Sequence, residues 1–314
     1  MSHSPSTPSG RPRVGFIGLG VMGRPMASNI LKAGFALTVN SRSADQVEGL
    51  VSGGASRART PADAAAASDI LFIMVPDTAD LVEVLDGPHG VMAGGHQGLI
   101  VCDTGTHAPS EMSAIARRLD AVGADFIDCP VSGGEIGAQQ GTLAIMVGGP
   151  ADAFQRARPV LDSIGTVIVH IGPVGAGQIA KACNQLLVAS TIQAVAEALV
   201  LATASGVDPA RVREVMLGGF ASSKVLEVHG KRMLEGDFNP GARTSLHAKD
   251  ARIVLDTATQ SGVPLPGFAP VAASLQRLVD LGDGDLDHSA LVTLLGGATQ
   301  MPWTTPRSEG GGAG

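Results

Sequence analysis

Residues 14–23 read Val-Gly-Phe-Ile-Gly-Leu-Gly-Val-Met-Gly. Val14–Ile17 is a short apolar run of β type. Gly18, Gly20 and Gly23 then space a GxGxxG turn, and a helical stretch, Arg24–Ala33, follows it. The next β-like run is Ala36–Asn40, which closes a βαβ unit. In that context each glycine has a physical task. Gly18 permits the tight turn, Gly20 lets the backbone approach a pyrophosphate, and Gly23 lets helix and strand pack closely. The helix start offers unpaired N–H groups and a partial positive charge to a phosphate. Gly18, Gly20, Val21, Met22 and Gly23 are therefore the expected contacts of a dinucleotide. The plain alternative is a glycine-rich turn that holds nothing.

Outward from this unit the alternation continues. Further strand candidates are Ile70–Val75, Leu99–Asp103, Asp125–Asp128, Leu143–Val147 and Val167–His170, with helical stretches such as Ser110–Val122 between them. Strands alternating with helices predict a parallel, doubly wound sheet. After Gly172-Pro173 no convincing strand follows, and helical segments run to about Thr299. The expected order is a leader over 1–12, an α/β domain over 13–173, an all-α domain over 174–301 and a flexible tail over 302–314. The 314 residues suit two domains at ~100–200 residues each.

Composition narrows the function classes. The chain is 44% hydrophobic and 16% charged, which excludes global disorder. Its 22 Lys+Arg against 29 Asp+Glu give a formal charge of −7, against a general nucleic-acid or anionic-membrane binder. No run reaches the ~18 consecutive apolar residues of a membrane span. Cys102, Cys129 and Cys183 are too few and scattered for a disulfide framework or a cysteine-rich zinc site. No His/Cys/Asp cluster at ligand spacing points to any metal. A reducing cytoplasm is the expected compartment. The leader MSHSPSTPSGRP lacks the apolar core of a secretory signal.

Three further stretches carry chemistry. At the end of the second strand candidate, an NAD site usually places Asp or Glu to hold the ribose 2′-hydroxyl. Here Asn40-Ser41-Arg42-Ser43 stands instead. Ser41 and Arg42 would attract a 2′-phosphate that a carboxylate would repel, which favours NADP over NAD by about two to one. Between Pro173 and Val207 the charged residues are Lys181 and Glu197 alone. A helix this apolar is buried, and burial together with the helix N-terminal dipole lowers a lysine pKa toward the range useful for proton transfer. Asn184 and Gln185 share a face with Lys181. A lysine that snorkels its head into water is the equal alternative. Finally, Ser132-Gly133-Gly134 after a strand offers a hydroxyl and N–H groups to a carboxylate.

Taken together, VGFIGLGVMGRPMASNILKAG, DCPVSGGEIGAQQGTLAIMVGG, GAGQIAKACNQLL and SLHAKD resemble the β-hydroxyacid dehydrogenase family, which includes 3-hydroxyisobutyrate dehydrogenase. The motifs fall in matching order over about residues 13–300. DFNPGARTSLHAKD and LDHSAL are most similar to its tartronate semialdehyde (2-hydroxy-3-oxopropionate) reductase branch. The resemblance implies a Rossmann N-terminal domain, a long interdomain helix, an all-α C-terminal domain for substrate and oligomerisation, and a homodimer or homotetramer. It implies hydride transfer between a nicotinamide and a short acid carrying a hydroxyl or aldehyde at C3. Lys181 matches the catalytic lysine. Ser132, Gly133 and Gly134 match the carboxylate-binding turn, and Asn184 an amide that positions substrate and lysine. Lys249 and Thr106 match cofactor contacts, and Val75 and Pro76 the loop on the adenosine side. The chain departs from the family pattern at Gly105, often Ser; at Ser41, Asp in several NAD-using members; and at Ala242, often Phe. A wider entrance at Ala242 leaves 3-hydroxyisobutyrate, succinic semialdehyde and related acids as alternative substrates. A dinucleotide-binding sensor without turnover is the rival of another class.

Overall fold

The computed structural model describes residues 10–296, so residues 1–9 of the expected leader and the expected tail lie outside the described residues. The chain divides into two compact units, Met1–Lys181 and Ala182–Gly314.

The first unit runs β1 (Val14–Ile17), α1 (Gly23–Lys32), β2 (Leu37–Asn40), α2 (Ala44–Val51), β3 (Ser56–Arg57), α3 (Pro61–Ala66), β4 (Ile70–Ile73), α4 (Thr78–Asp86), α5 (Val91–Gly94), β5 (Ile100–Asp103), α6 (Pro109–Asp120), β6 (Asp125–Asp128), β7 (Val131–Ser132), α7 (Gly134–Gln140), β8 (Leu143–Gly148), α8 (Ala151–Leu161) and β9 (Gly165–Gly172). The sheet order is β3-β2-β1-β4-β5-β6-β8-β7, with β9 also on β8. β1 lies centrally, in register with β2 (Val14 against Leu37) and with β4 (Val14 against Ile70).

Alternation along the strands explains the layers. Phe16, Phe72 and Ile100 pack on one face with Met26 and Ile30 of α1 and Val47 and Leu50 of α2. Ile17, Leu71, Ile73 and Val101 pack on the other with Leu81 and Leu85 of α4 and Ile115 and Leu119 of α6. Strands buried on both faces are the mark of a doubly wound sheet. With so few aromatic residues, the stacked pair Phe16–Phe72, centroids 5.9 Å apart, is the main ring contact in this core.

The expected parallel sheet holds through β6. Beyond it β8 runs antiparallel to β6 and β7 and parallel to β9. β7 and β8 are joined through the seven-residue α7. A link that short suits an antiparallel pair, whereas parallel strands need a crossover of a dozen or more residues.

The helix α9 (Ala176–Ala204) begins in the first unit and continues into the second. By length and mean hydropathy it is long and apolar enough to cross a membrane, although Lys181 and Glu197 break its apolar run. In the second unit its Ala189, Ile192, Ala196 and Leu199 are fully buried. They form one core with α10 (Pro209–Leu217), α11 (Lys224–Glu235), α12 (Thr244–Gln260), α13 (Ala269–Asp280) and a 3₁₀ turn, His288–Leu294. No strand is present in the second unit among the described residues, so it is all-α.

Candidate active site

The glycine turn between β1 and α1 is shaped by backbone contacts. Gly18 has φ +92°, and a Cβ there would lie 2.1 Å from the Met74 carbonyl oxygen. Gly23 opens α1, where a Cβ would lie 2.0 Å from the Gly18 oxygen and 3.0 Å from the Phe16 ring. A Cβ on Gly20 would meet nothing within 4 Å, so this turn faces open space. Val21 is exposed, and Met22 precedes the helix with no side chain capping its N-terminus. In the first turn of α1, Arg24 and Met26 already donate to the Gly20 and Met22 carbonyls and Pro25 has no N–H, so the room for an approaching pyrophosphate is the open space at Gly20, beside the positive end of the helix. Beside the turn lies a groove of about 510 Å³, lined by Leu19, Arg24, Ser43 and Gln46 among others.

Ser41 and Arg42 follow β2 directly. The Ser41 hydroxyl accepts a hydrogen bond from the Ser43 N–H at 3.3 Å. Arg42 is 82% exposed, and its guanidinium reaches Asp80 only at 3.5 Å. Val75 and Pro76 leave β4 next to Gly18: the Val75 side chain lies 3.5 Å from where a Gly18 Cβ would be. Thr106 is half-buried in the loop after β5.

Lys181 is 6% exposed, so it does not snorkel into water. Its Nζ donates a hydrogen bond to the Val131 carbonyl at 2.9 Å. The fold therefore brings the amine to the residue preceding Ser132-Gly133-Gly134. Ser132 is held in β7 opposite Ala144 of β8. Gly133 and Gly134 take φ +136° and +61°, a path that other residues adopt only under strain, and both are exposed. A buried amine beside a turn with a hydroxyl and two open N–H groups can bind a carboxylate and exchange a proton with an oxygen close to it.

Asn184 and Lys249 lie in the second unit. Asn184 donates to the Gln185 side-chain oxygen at 2.9 Å, Gln185 donates to Asp250 Oδ2 at 2.6 Å, and Lys249 pairs with Asp250 Oδ1 at 3.0 Å. Asp250 thus joins a group that the sequence reading left incomplete. The pairing of Lys249-Asp250 in SLHAKD was the available signal.

Sequence reasoning also missed the buried polar residues at the start of the helix that carries Lys181. Asp128 accepts from the backbone N–H groups of Gly175 at 2.7 Å and Gln178 at 2.8 Å, capping the start of α9 from a distant strand. Burial pushes its carboxyl up to about 6, against the downward pull of those two N–H donors. Asp103, His107 and Gln178 are all buried beside it.

The sequence shows no His/Cys/Asp cluster at ligand spacing, but the fold assembles one from distant residues. His229, Asp287 and His288 come together in the second unit with ligand atoms within 4.8 Å of one another. The rings bond among themselves: His288 Nε2 meets His229 Nε2 at 3.2 Å, and its Nδ1 meets His247 Nδ1 at 2.7 Å. Asp287 already accepts from the Gly241 and Ala242 N–H groups and from the Ser289 N–H and hydroxyl, with Arg232 at 3.7 Å. A carboxylate so engaged beside a guanidinium is a poor cation ligand, and burial lowers the His288 pKa. These contacts describe a hydrogen-bonded structural cluster.

Residues 13–172 match the family described as the NAD-binding domain of 6-phosphogluconate dehydrogenase. Residues 175–295 match the NAD-binding family of NADP-dependent 3-hydroxyisobutyrate dehydrogenase. The chain belongs to the 3-hydroxyisobutyrate dehydrogenase family. It is 44% identical over 283 residues to 2-hydroxy-3-oxopropionate reductase of Escherichia coli, covering 90% of this chain and 97% of that protein. It is 36% identical over 260 residues to the mitochondrial 3-hydroxyisobutyrate dehydrogenase of Mus musculus, covering 80% and 77%. The crystal structure of 3-hydroxyisobutyrate dehydrogenase from Salmonella typhimurium matches with a TM-score of 0.83 at 30% identity, over 90% of this chain and 99% of that one. Members of the 3-hydroxyisobutyrate dehydrogenase family are NAD(P)-dependent oxidoreductases of small hydroxyacids, and this chain is one of them.

Proposed function

We propose that this enzyme reduces tartronate semialdehyde (2-hydroxy-3-oxopropionate) with NADPH in preference to NADH. The observation that carries the catalytic reading is Lys181, buried and bonded at 2.9 Å to the carbonyl that precedes the Ser132-Gly133-Gly134 turn. The substrate rests on the 44% identity to the Escherichia coli reductase. The cofactor preference rests on Ser41 and Arg42 standing where a ribose-binding carboxylate would exclude a 2′-phosphate.

When bound, a dihydronicotinamide would supply the hydride. Lys181, as an ammonium, donates a proton to the aldehyde oxygen as it becomes an alkoxide; in the oxidising direction the neutral amine takes it back. The Ser132 hydroxyl and the N–H groups of Gly133 and Gly134 hold the carboxylate, which sets its distance from the reacting carbon. Asn184 positions lysine and substrate. Gly18, Gly20, Val21, Met22 and Gly23 would hold the pyrophosphate, Ser41 and Arg42 the 2′-phosphate, and Val75 and Pro76 the adenosine side, with Thr106 and Lys249 as further cofactor contacts. Proton transfer of this kind contributes roughly 10²–10⁴-fold. No step needs a metal. The enzyme works in a reducing cytoplasm as a homodimer or homotetramer, a reading supported by Leu187 and Leu201 of α9, which are 65% and 68% exposed. Nucleic acid and membrane are not partners in this reading.

The test is NADPH or NADH oxidation, followed at 340 nm, with tartronate, succinic and methylmalonate semialdehydes. Fastest turnover with tartronate semialdehyde and NADPH supports the proposal. A larger acid turned over faster would move the substrate toward the alternatives that Ala242 leaves open.

A further inference from the structure

We propose that Gln178 is a positioning residue: its buried carboxamide ties the loop that carries Thr106 to the first turn of the helix that carries Lys181. The inference rests on the roles given above to Thr106 and Lys181. Gln178 is 1% exposed, and both ends of its amide are used. Its Oε1 accepts from the His107 N–H at 3.0 Å. Its Nε2 donates to the Gly105 carbonyl at 3.0 Å and to Asp103 Oδ2 at 3.2 Å. The loop is therefore gripped on both sides of Thr106. The Gln178 backbone N–H donates to Asp128 Oδ2 at 2.8 Å, so the same residue is fastened to β6.

Lys181 lies three residues further on, nearly one turn along α9. A shift of the first turn carries the amine with it, while the grip on residues 105 and 107 keeps Thr106 in step. Gln178 thereby fixes the separation between a group that faces the cofactor and the group that supplies the proton. A glutamate in its place would lose both Nε2 bonds and set a second carboxylate against Asp103. An apolar side chain would strand three polar groups in a fully buried network, where unpaired groups are least tolerated.

His107 completes the device and accounts for Gly105. The imidazole is fully buried, with Nε2 3.1 Å from Asp103 Oδ1. A Cβ at residue 105 would lie 2.2 Å from that nitrogen. The ring occupies the space that a serine side chain would need, so the glycine and the histidine belong together.

The test compares the full-length wild-type enzyme with Gln178→Met and with Gln178→Asn, a milder change if the first fails to fold. Turnover of the semialdehyde at saturating NADPH is expected to fall about 10²-fold for Gln178→Met, as for a misplacement of about 1 Å. The NADPH Kd is expected to stay within threefold, and the primary isotope effect from deuterated NADPH to rise. Amide hydrogen exchange over residues 104–108, measured without cofactor, is expected to quicken at least tenfold while residues 14–32 keep their rate. Turnover within threefold of wild type, or unchanged exchange over 104–108, overturns the proposal. If the wild-type enzyme itself reduces none of the three semialdehydes, the functional reading fails, and the exchange experiment still decides whether Gln178 holds the loop.

Discussion

Replacing Gly177 by alanine puts the geometry of the proton donor to a direct test. Gly177 lies in the first turn of α9, where the helix meets the sheet. A Cβ there would lie 2.4 Å from the Met146 carbonyl oxygen, 2.6 Å from that of Asp128 and 2.8 Å from Asp128 Oδ2. Ordinary contact begins near 3.4 Å, so the helix start must retreat by about 1 Å from backbone that cannot give way. Gly148 faces it across this approach: a Cβ on that residue would lie 2.7 Å from the Gly177 nitrogen. Lys181 is four residues on, about one turn. A misplacement of about 1 Å at a reacting group can cost about 10²-fold in rate, or roughly 2.7 kcal/mol of barrier. Overpacking should also destabilise the fold by about 1–3 kcal/mol. In an unobstructed helix the same change would stabilise by about 1 kcal/mol, so the sign alone is informative. The assay is steady-state oxidation of NADPH at saturating semialdehyde, with thermal unfolding and NADPH binding measured in parallel. The expected result is kcat down about 10²-fold, a lower Tm and an NADPH Kd within threefold, because the Gly18–Gly23 turn sits on another strand. Turnover within threefold of wild type together with an unchanged or raised Tm would refute the reasoning.

Other outcomes follow from the same contacts. Gly105→Ser should destabilise by about 1–3 kcal/mol in urea unfolding through collision with the His107 ring and the Val75 carbonyl, and adding it to a His107→Ala background should cost less than adding it to wild type. Arg42→Ala should raise the KM for NADPH while leaving that for NADH within twofold; equal effects on both would remove Arg42 from the 2′-phosphate. For pH, burial, helped by His247, His229 and Arg232 and opposed by Asp287, depresses the folded-state pKa of His288 below its usual 6.5. The unfolded chain then binds the proton more readily, so this contribution to stability is present above about pH 6.5 and lost as the pH falls below it. The buried Asp128 carboxyl, raised to about 6, acts with the opposite sign between about pH 6 and 4. The His288 share is therefore read as a difference: wild type should lose more stability than His288→Gln between pH 7 and 5, and parallel curves would contradict it.

The fold was legible where local pattern and burial agree. Val14–Ile17, Ile70–Ile73 and Ile100–Asp103 are apolar runs buried on both faces, and they stand as strands where the sequence places them. β3 and β7 have two residues each, too few to leave a periodic signal, and the reversal of β8 follows from a short connection that composition does not encode. At the site, Lys181 could be singled out because it is a charge in an otherwise apolar helix. Asp103, Asp128, His107 and Gln178 could not: Asp103 and His107 are near neighbours, but the bonds that tie them and Asp128 to Gln178 join residues 50 to 75 apart that only the fold brings together. The same holds for His229 and His288, 59 residues apart and joined ring to ring.

Lys181 is the residue on which the proposed reaction depends most directly. Lys181→Ala should be assayed with NADPH and tartronate semialdehyde beside a fluorescence titration of NADPH. The predicted result is turnover lower by at least about 10²-fold, in the range for loss of a general acid, with NADPH bound as tightly as by wild type. Turnover within a few-fold of wild type in a variant that binds NADPH normally would contradict Lys181 as the proton donor.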